Sequence, residues 1–307
     1  IKRRSQREIN QQHCYDYPAE NNGWHKVGNK PVYGNQETES VFDPFVIKHN
    51  EKFLMIVSER KYHGLDLLES SNGTDWQNKG PIMKRIPNTW ETLINRASLA
   101  IVDNVWHLWY TGQSPEISKI GHAISTDGIH YHRSSYPCLE ATLPQEGVSV
   151  MNPCVLWNED KKIFQMWYAA GENYEPDVLF YAESKNGEQW IKHKQPILFK
   201  DKTHEWEKYK VGGCDVKRQK DGTYIMYYIG YQNLDVTRIC YAVSSDGINW
   251  TRPDYNICIS PSQNSWDSDA TYKPAVLQRD QTLYMWYNGR KGVEEYIGMA
   301  TKENATE

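Results

Sequence analysis

The sequence predicts an all-β fold because one pattern of strands and turns recurs along its 307 residues. An aromatic strand at 106–110 is followed by a strand at 120–124 and by a Ser-x-Asp-Gly turn that ends on Tyr131. The same succession of features returns at 164–190 and 224–250. Asp-Gly and Asn-Gly turns between strands are typical of β-hairpins. Repeats of this length indicate a solenoid, a propeller or an array.

Taken along the chain, the pattern occurs five times, with one incomplete copy. The copies begin at residues 39–47, 95–99, 151–155, 213–216 and 272–276. The first four end on the closing aromatic residues Trp76, Tyr131, Trp190 and Trp250. The fifth copy has strands at 283–287 and 296–300 but no closing aromatic residue. The segment Asn22-Gly23-Trp24, which precedes the first copy, supplies the missing part.

Each copy reads as four antiparallel strands, which are too few to bury both faces alone. Five such units arranged radially make a propeller. We therefore predict a five-bladed β-propeller of four-stranded antiparallel blades, whose ring is closed by the N-terminal strand around Trp24 completing blade five. Residues 1–20 are predicted to form an N-terminal arm, and residues 21–307 a single propeller domain. A β-sandwich, the competing fold, does not explain why the two ends complement each other.

Composition excludes several classes of function. The formal net charge of −4 is small, so it gives no reason to expect nucleic acid or a membrane surface as a partner. No apolar run approaches the roughly 18 residues that a spanning helix needs. The six cysteines include no CxxC pair and no zinc-like spacing, and we expect no metal site and no cofactor.

Scattered thiols favour a cytoplasmic protein, unless a signal peptide has been trimmed. The oligomeric state is not predicted.

A propeller of this kind has a central funnel, and polar residues open its innermost strands. The ring positions that open these strands are Asp43, Arg96, Asn152, Cys214 or Asp215, and Lys273. The rim positions that follow the second strands are Glu59, Arg60, Gln113, Glu172, Gln232 and Arg290. The framework positions repeat from copy to copy, whereas these polar positions differ in each. The variation favours a binding or catalytic site, and the alternative is that a wet funnel opening tolerates any polar residue.

The Phe42-Asp43-Pro44 segment, the Met-Trp-Tyr second strands and the Ser-x-Asp-Gly-x-x-Trp turns resemble those of the five-bladed propeller glycosidases. These are glycoside hydrolase families 43, 32, 68, 117 and 130. The resemblance covers nearly the whole chain as architecture, and its motifs match no single family. It implies a carbohydrate-active enzyme, most simply a glycoside hydrolase that cleaves an oligo- or polysaccharide in the funnel.

The resemblance also implies roles for particular residues. In families 43 and 32 an aspartate that opens blade one acts as base or nucleophile, and that position is Asp43 here. The second aspartate of family 43 falls on Asn152, and its glutamate acid falls on the segment 212–215, which has no glutamate. Glycosidic cleavage normally needs a second, protonated carboxyl group. We predict Asp215 or Glu172 as this proton donor. Further candidates are Glu146, Glu207 and Asp269.

The remaining ring and rim residues are predicted to bind substrate: Arg96, Asn152, Lys273, Arg290, Arg60 and Gln113. Several of them are basic, and an Arg fork matches carboxylate or phosphate geometry. An acidic sugar or inorganic phosphate is therefore a candidate ligand. Four aromatic residues near the mouth are candidates to stack on sugar faces: Trp90, Tyr174, Trp206 and Trp266. Three alternatives stay open: a glycoside phosphorylase, a non-catalytic carbohydrate-binding propeller and a protein-interaction scaffold, which would have a flat open top instead of a deep polar pocket.

Overall fold

Five four-stranded antiparallel sheets make up the molecule, which confirms the predicted five-bladed propeller. The computed structural model describes residues 2–304, and for residues 2–4 the backbone alone. The last three residues of the predicted propeller domain lie outside this range. Blade one contains β2 (Val41–His49), β3 (Lys52–Glu59), β4 (Gly64–Ser70) and β5 (Gln77–Met83). Blade two contains β6 (Leu93–Val102), β7 (Val105–Gln113), β8 (Ser118–Ser125) and β9 (His132–Arg133).

The other three blades repeat this order from the axis outward. Blade three contains β10 (Ser149–Asn158), β11 (Ile163–Glu172), β12 (Glu175–Ser184) and β13 (Ile191–Lys192). Blade four contains β14 (Lys210–Arg218), β15 (Tyr224–Tyr231), β16 (Thr237–Ser244) and β17 (Ile257–Ile259). Blade five contains β18 (Ala270–Arg279), β19 (Thr282–Lys291), β20 (Glu294–Glu303) and the N-terminal β1 (His25–Lys26). Short 3₁₀ turns at Pro144–Glu146 and Glu205–Glu207 lead into blades three and four.

The ring closes through blade five, as the sequence predicts. His25 pairs with Thr301 and Lys26 with Ala300, so β1 forms the outermost strand beside β20. Trp24 is 1% exposed, and its ring meets Tyr227 of blade four edge to face at 5.9 Å. Because one blade contains both an early and a late strand, closure ties the two ends of the propeller together.

The N-terminal segment begins with the helix α1 (Lys2–Gln11) and lies against blades four and five. Arg238, which is fully buried, donates hydrogen bonds from Nη2 to the carbonyls of His13 and Cys14. Its guanidinium also lies over the ring of Tyr17 at 4.9 Å. One buried cation therefore holds the arm against blade four. None of the described helices is long and apolar enough to cross a membrane.

The repeated turns join neighbouring blades as well as neighbouring strands. In each turn the serine hydroxyl accepts a hydrogen bond from the glycine amide, as Ser184 does from Gly187 at 2.8 Å. The carbonyl of Gly187 accepts the indole N–H of Trp190 in its own blade and of Trp109 in blade two. Equivalent bonds link Trp167 to Gly247 and Trp286 to Gly73. The repeated Trp and Gly positions are therefore explained by blade-to-blade hydrogen bonds.

A buried carboxylate recurs in blades two to five, each time between a tyrosine of the second strand and a cation in or just before the outer strand. In blade three, Glu146 accepts the Tyr168 hydroxyl at 2.7 Å and pairs with Lys192 at 2.7 Å. The corresponding groups are Glu91 with Tyr110 and Arg133, Glu207 with Tyr228 and Arg252, and Asp267 with Tyr287 and Lys26. All four carboxylates are under 5% exposed. Their position assigns them to the stability of each blade.

We predict that Glu146→Gln lowers the free energy of unfolding by about 2–3 kcal/mol, because the largely buried ammonium of Lys192 loses its carboxylate and keeps only neutral acceptors, such as the Glu140 carbonyl and the Thr142 hydroxyl. Burial alone would raise the pKa of Glu146, but the hydrogen bonds from Lys192, Leu143 and Tyr168 outweigh it and lower that pKa. Chemical denaturation of the variant beside wild type measures the change. Glu159→Gln, at a side chain that is 69% exposed, is the matched control and should change stability by less than about 1 kcal/mol. Equal stability of Glu146→Gln and wild type would contradict this assignment.

Candidate active site

The innermost strand of every blade breaks its ladder where it meets the funnel. In four blades two residues stay unpaired, between Phe42 and Phe45, Asn95 and Ser98, Met151 and Cys154, and Tyr272 and Ala275. The first unpaired residue has positive φ in each: Asp43 (55°), Arg96 (52°), Asn152 (57°) and Lys273 (44°). A bulge of this kind re-aims a side chain. Non-glycine residues in this conformation are strained and cluster at functional sites.

The preceding blade holds three of these bulges in place. In the preceding blade, a polar side chain at one repeated position of the second strand accepts a hydrogen bond from the backbone amide of the bulged residue. Asn288 accepts the amide of Asp43 at 2.6 Å, Ser58 that of Arg96 at 2.9 Å, and Thr111 that of Asn152 at 2.8 Å. These bonds satisfy amides that have left the ladder, as buried amides require.

Blade four departs from the others, and the predicted ring position there is wrong. Neither Cys214 nor Asp215 occupies it. A single residue, Gly213, is unpaired between Gly212 and Cys214, so Gly213 is the counterpart of Asp43. The β14–β15 turn is longer than its counterparts, since Arg218 pairs with Tyr224, and counting from the second strand therefore misplaces the ring position. A side chain at Gly213 would collide with Arg96, whose Nη1 lies 2.1 Å from the place of a Cβ. Glycine makes room for the arginine of blade two.

A cavity of about 360 Å³ occupies the funnel mouth and is lined by residues of all five blades. Its wall includes six of the nine predicted site residues: Asp43, Arg60, Arg96, Gln113, Asn152 and Arg290. Asp43 and Arg96 are 5% and 7% exposed, so they form its buried part. Residues at the strand ends, although far apart in sequence, therefore lie together around this cavity.

The other three predicted residues do not line this cavity. Asp215 is directed into the blade packing, where Oδ2 accepts the Val276 amide at 2.6 Å and Oδ1 lies 3.1 Å from Lys217. Lys273 donates to the carbonyl of Pro44 at 2.9 Å, and burial together with nearby Arg96 lowers its pKa to about 8. Glu172 lies at the exposed end of β11. Its cross-strand partner Glu175 lines the cavity instead.

The three reserve candidates for the proton donor have other partners. Glu146 and Glu207 are the buried carboxylates of blades three and four described above. Asp269 accepts the amide of Gly292 at 2.7 Å and lies 3.7 Å from Arg290.

Asp43 and Arg96 form the ion pair at the base of the cavity. Arg96 Nη2 lies 2.9 Å from Asp43 Oδ1. Arg96 Nε and Nη1 are buried and have no hydrogen-bond partner among the described residues. Buried donors without partners are uncommon and costly. The arginine therefore orients the carboxylate of Asp43, and its Nε and Nη1 keep N–H groups without an acceptor among the described residues.

Glu59, a rim position in the sequence, is the second carboxyl group of the cavity. It ends β3, is 5% exposed, and accepts the Tyr62 amide at 2.7 Å. Burial, reinforced by the nearby charge of Asp66, raises the pKa of Glu59 to about 7. Near neutral pH a substantial fraction of Glu59 is therefore protonated.

Further charged residues line the upper wall, and sequence reasoning missed three of them. Glu295 pairs with Arg60 at 2.6 Å and also accepts the Tyr272 hydroxyl. Glu175 and Asp235 stand beside the hairpins that join second and third strands. Burial raises the pKa of Glu175, and the charges of Asp177 and Asp235 add to this. All three lie at the hairpins between second and third strands, so their place in the repeat could have identified them as rim residues. Among the described residues, no group of three or more His, Cys, Asp or Glu side chains is placed to hold a metal ion.

Comparison with known proteins adds related sequences. Residues 1–95 match the family model of the glycosyl hydrolases family 32 N-terminal domain. An uncharacterised protein of Mycobacterium tuberculosis (strain CDC 1551 / Oshkosh) is 29% identical over 209 residues, which is 64% of this chain and 67% of that protein. The β-1,2-mannobiose phosphorylase of Thermoanaerobacter sp. (strain X514) is 25% identical over 225 residues, covering 53% of this chain and 74% of the relative.

Solved structures share the fold over nearly the whole chain. A glycoside hydrolase superimposes with a TM-score of 0.73 at 18% identity, covering 98% of this chain and 97% of the other. A structure from the family 130 mannoside phosphorylases, which contain glycoside hydrolases that target β-1,2-mannosidic linkages in Candida mannan, gives a TM-score of 0.70 at 14% identity. That superposition covers 93% of this chain and 96% of the other. The chain therefore resembles the five-bladed propeller glycosidases as a group, and these matches define no single family for it.

Proposed function

We propose that this protein is a glycoside hydrolase that cleaves its substrate in the funnel, with Asp43 as base or nucleophile and Glu59 as proton donor. The observation that carries the proposal is one cavity that contains two carboxyl groups in different environments. Asp43 pairs with Arg96 at 2.9 Å, whereas burial raises the pKa of Glu59 to about 7. Glycosidases divide their acid and base roles between two carboxyl groups whose environments differ in this way.

The strand register supports this pair. Glu59 is the cross-strand partner of Val41, and Asp43 lies two residues further along the same strand. Asp43 has left the ladder at the bulge, so the register places the two residues at the same end of adjacent strands but does not set the distance between their carboxyl groups. Carboxyl groups separated by about 5–9 Å serve retaining or inverting glycosidases, depending on the distance. The separation of the Asp43 and Glu59 carboxyl groups therefore decides between a retaining and an inverting reaction.

In the proposed reaction, the protonated Glu59 donates its proton to the glycosidic oxygen as the bond from the anomeric carbon to that oxygen breaks. The carboxylate of Asp43 removes a proton from an attacking water, or attacks the anomeric carbon itself before water releases the sugar. Arg96 fixes the direction of the Asp43 carboxylate through their ion pair. The products are a free sugar and the leaving alcohol.

We predict that Asp43→Asn lowers kcat by a factor of at least about 10³, and that Glu59→Gln lowers it by about 10²–10⁴ on substrates with poor leaving groups. On a dinitrophenyl glycoside, whose leaving group needs no proton, Glu59→Gln should lose far less. Activity of wild type should fall as the pH rises through about 7, because the proton of Glu59 is lost there, and Glu59→Gln should lack this limb. A panel of neutral and acidic aryl glycosides measures these rates.

Two exposed carboxyl groups provide matched controls, Asp160→Asn and Glu205→Gln, whose side chains are 72% and 58% exposed. Both should retain wild-type rates. Thermal unfolding shows whether each variant is folded. Full activity of a folded Asp43→Asn variant would overturn the catalytic assignment. Sugar-induced stabilisation without turnover by wild type would favour a non-catalytic carbohydrate-binding propeller.

Phosphorolysis is the second candidate, and the two unpartnered nitrogen atoms of Arg96, Nε and Nη1, favour it. An arginine fork suits phosphate, and the Thermoanaerobacter relatives are named as phosphorylases. The same groups suit the carboxylate of an acidic sugar.

We expect cleavage to proceed at the same rate with and without inorganic phosphate, and to give free sugar as the product. Sugar release in phosphate-free buffer, compared with release at millimolar phosphate by product chromatography, measures this. A phosphate-dependent rate with formation of a sugar 1-phosphate would contradict hydrolysis and establish phosphorolysis. In that case Arg96→Lys should raise the apparent KM for phosphate, because lysine loses the fork.

A further inference from the structure

One exposed aromatic side chain at the cavity is unused by the proposed reaction. Of the four aromatic residues expected near the mouth, Trp90 stacks on Tyr110 and Trp266 on Tyr287 within their own blades. Trp206 is 8% exposed and packs against Tyr17. Tyr174 is different because it lines the cavity while it remains 50% exposed.

The backbone at Tyr174 is unusual for so large a residue. Tyr174 is at the tip of the hairpin between β11 and β12, where its φ is +66°. Glycine or asparagine adopts this conformation readily, whereas a bulky residue there is an outlier. Among the described residues Tyr174 belongs to no aromatic pair, so core packing does not account for it. An outlier of this kind justifies a hypothesis about function.

The hairpin tip is fixed to the neighbouring blade. Asn173 donates to the Ser114 carbonyl at 3.0 Å and accepts the Ser118 hydroxyl at 2.6 Å. The Tyr174 hydroxyl donates to the same Ser114 carbonyl at 3.2 Å. These three bonds tie the tip to the β7–β8 hairpin of blade two. The ring is therefore positioned before a ligand arrives, which reduces the entropic cost of binding.

The next blade offers a second apolar group and a polar one at the same mouth. Leu234 lines the cavity and is 51% exposed, and Asp235 follows it. Asp235 is held from two sides, because its carboxylate accepts from Asn10 at 2.8 Å and its carbonyl accepts from Arg290 at 2.9 Å. The mouth thus combines a rigid aromatic ring, an exposed aliphatic side chain and a fixed carboxylate.

We propose that Tyr174 is the stacking platform of an outer sugar subsite, which takes the pyranose ring next to the one bound at Asp43. The proposal rests on the proposed carbohydrate substrate. A pyranose presents a face of C–H groups that packs on an aromatic ring, while its hydroxyl edge needs polar partners such as Asp235. The charged, buried bottom of the cavity at Asp43 and Arg96 suits the sugar ring whose bond is cleaved. The half-exposed rim at Tyr174 suits a neighbouring sugar ring that is bound but does not react. The ligand class is therefore an oligosaccharide of at least two pyranose units.

Binding of disaccharides and monosaccharides to one set of variants tests this proposal. The probes are β-1,2-mannobiose, cellobiose, maltose and lactose, with mannose, glucose and galactose as their monosaccharides. Saturation-transfer NMR and titration calorimetry are run on Asp43→Asn, alone and combined with Tyr174→Ala, Tyr174→Phe or Tyr136→Ala. Tyr136 is 78% exposed and is not among the cavity residues, so it is the matched control.

We expect at least one disaccharide to bind more tightly than its monosaccharides. Tyr174→Ala should weaken that disaccharide about tenfold and change monosaccharide binding less than twofold, because one aromatic contact is lost. Tyr136→Ala should bind it as the parent does, and Tyr174→Phe, which keeps the ring but loses the bond to Ser114, should weaken it less than Tyr174→Ala does. Equal disaccharide affinity in Tyr174→Ala, or no preference for any disaccharide over its monosaccharides, would overturn the proposal. A Tyr174-dependent preference in a protein that cleaves nothing would leave the subsite intact and remove the hydrolase assignment.

Discussion

The whole site depends on one constraint, the break in each innermost strand where it reaches the axis. A regular ladder would alternate its side chains between the two faces of the blade and direct none of them along the funnel. The left-handed residues Asp43, Arg96 and Asn152 leave the ladder, and the neighbouring blade accepts their amides. Strain at these positions is therefore sustained by blade-to-blade bonds. Gly213, which gives up its side chain, lets Arg96 extend across the funnel to Asp43.

Two populations of buried carboxyl groups differ in their partners. Those that lead into blades two to five, such as Glu146, have a tyrosine and a cation as fixed partners and are under 5% exposed. Those at the funnel mouth have fewer partners and remain next to the cavity, as Glu59 does. Burial raises the pKa of both Glu146 and Glu59, but the net shifts of these two groups have opposite directions. The pKa of Glu146 is lowered by its donors, whereas that of Glu59 is raised because its surroundings supply a nearby negative charge, Asp66, and no cation of comparable effect.

The sequence predicted the architecture because the framework repeats and because Trp24 supplies the closing aromatic residue that the fifth copy lacks. It also predicted most of the cavity, since ring and rim residues occupy strand ends that topology brings together. The ring position of blade four was misplaced for two reasons. The turn at 219–223 is longer than its counterparts and changes the count from the second strand, and the bulge contains one residue, Gly213, where the other blades have two. The predicted proton donors, Asp215 and Glu172, do not line the cavity, whereas Glu59 does. The raised pKa of Glu59 depends on burial and on neighbours such as Asp66, which no sequence motif records.

The claim at the centre of this account is that the funnel maintains a protonated carboxyl group at Glu59 beside the ion-paired Asp43. The most direct test is ¹³C NMR titration of glutamate side chains labelled at Cδ, with the Glu59 signal identified by its disappearance in Glu59→Gln. The account predicts a midpoint near 7 for this carboxyl group, and a return toward its ordinary value when Asp66→Asn removes the neighbouring charge. A midpoint near 4.5 in the wild-type protein would contradict it, because Glu59 would then be ionised at neutral pH and have no proton to donate.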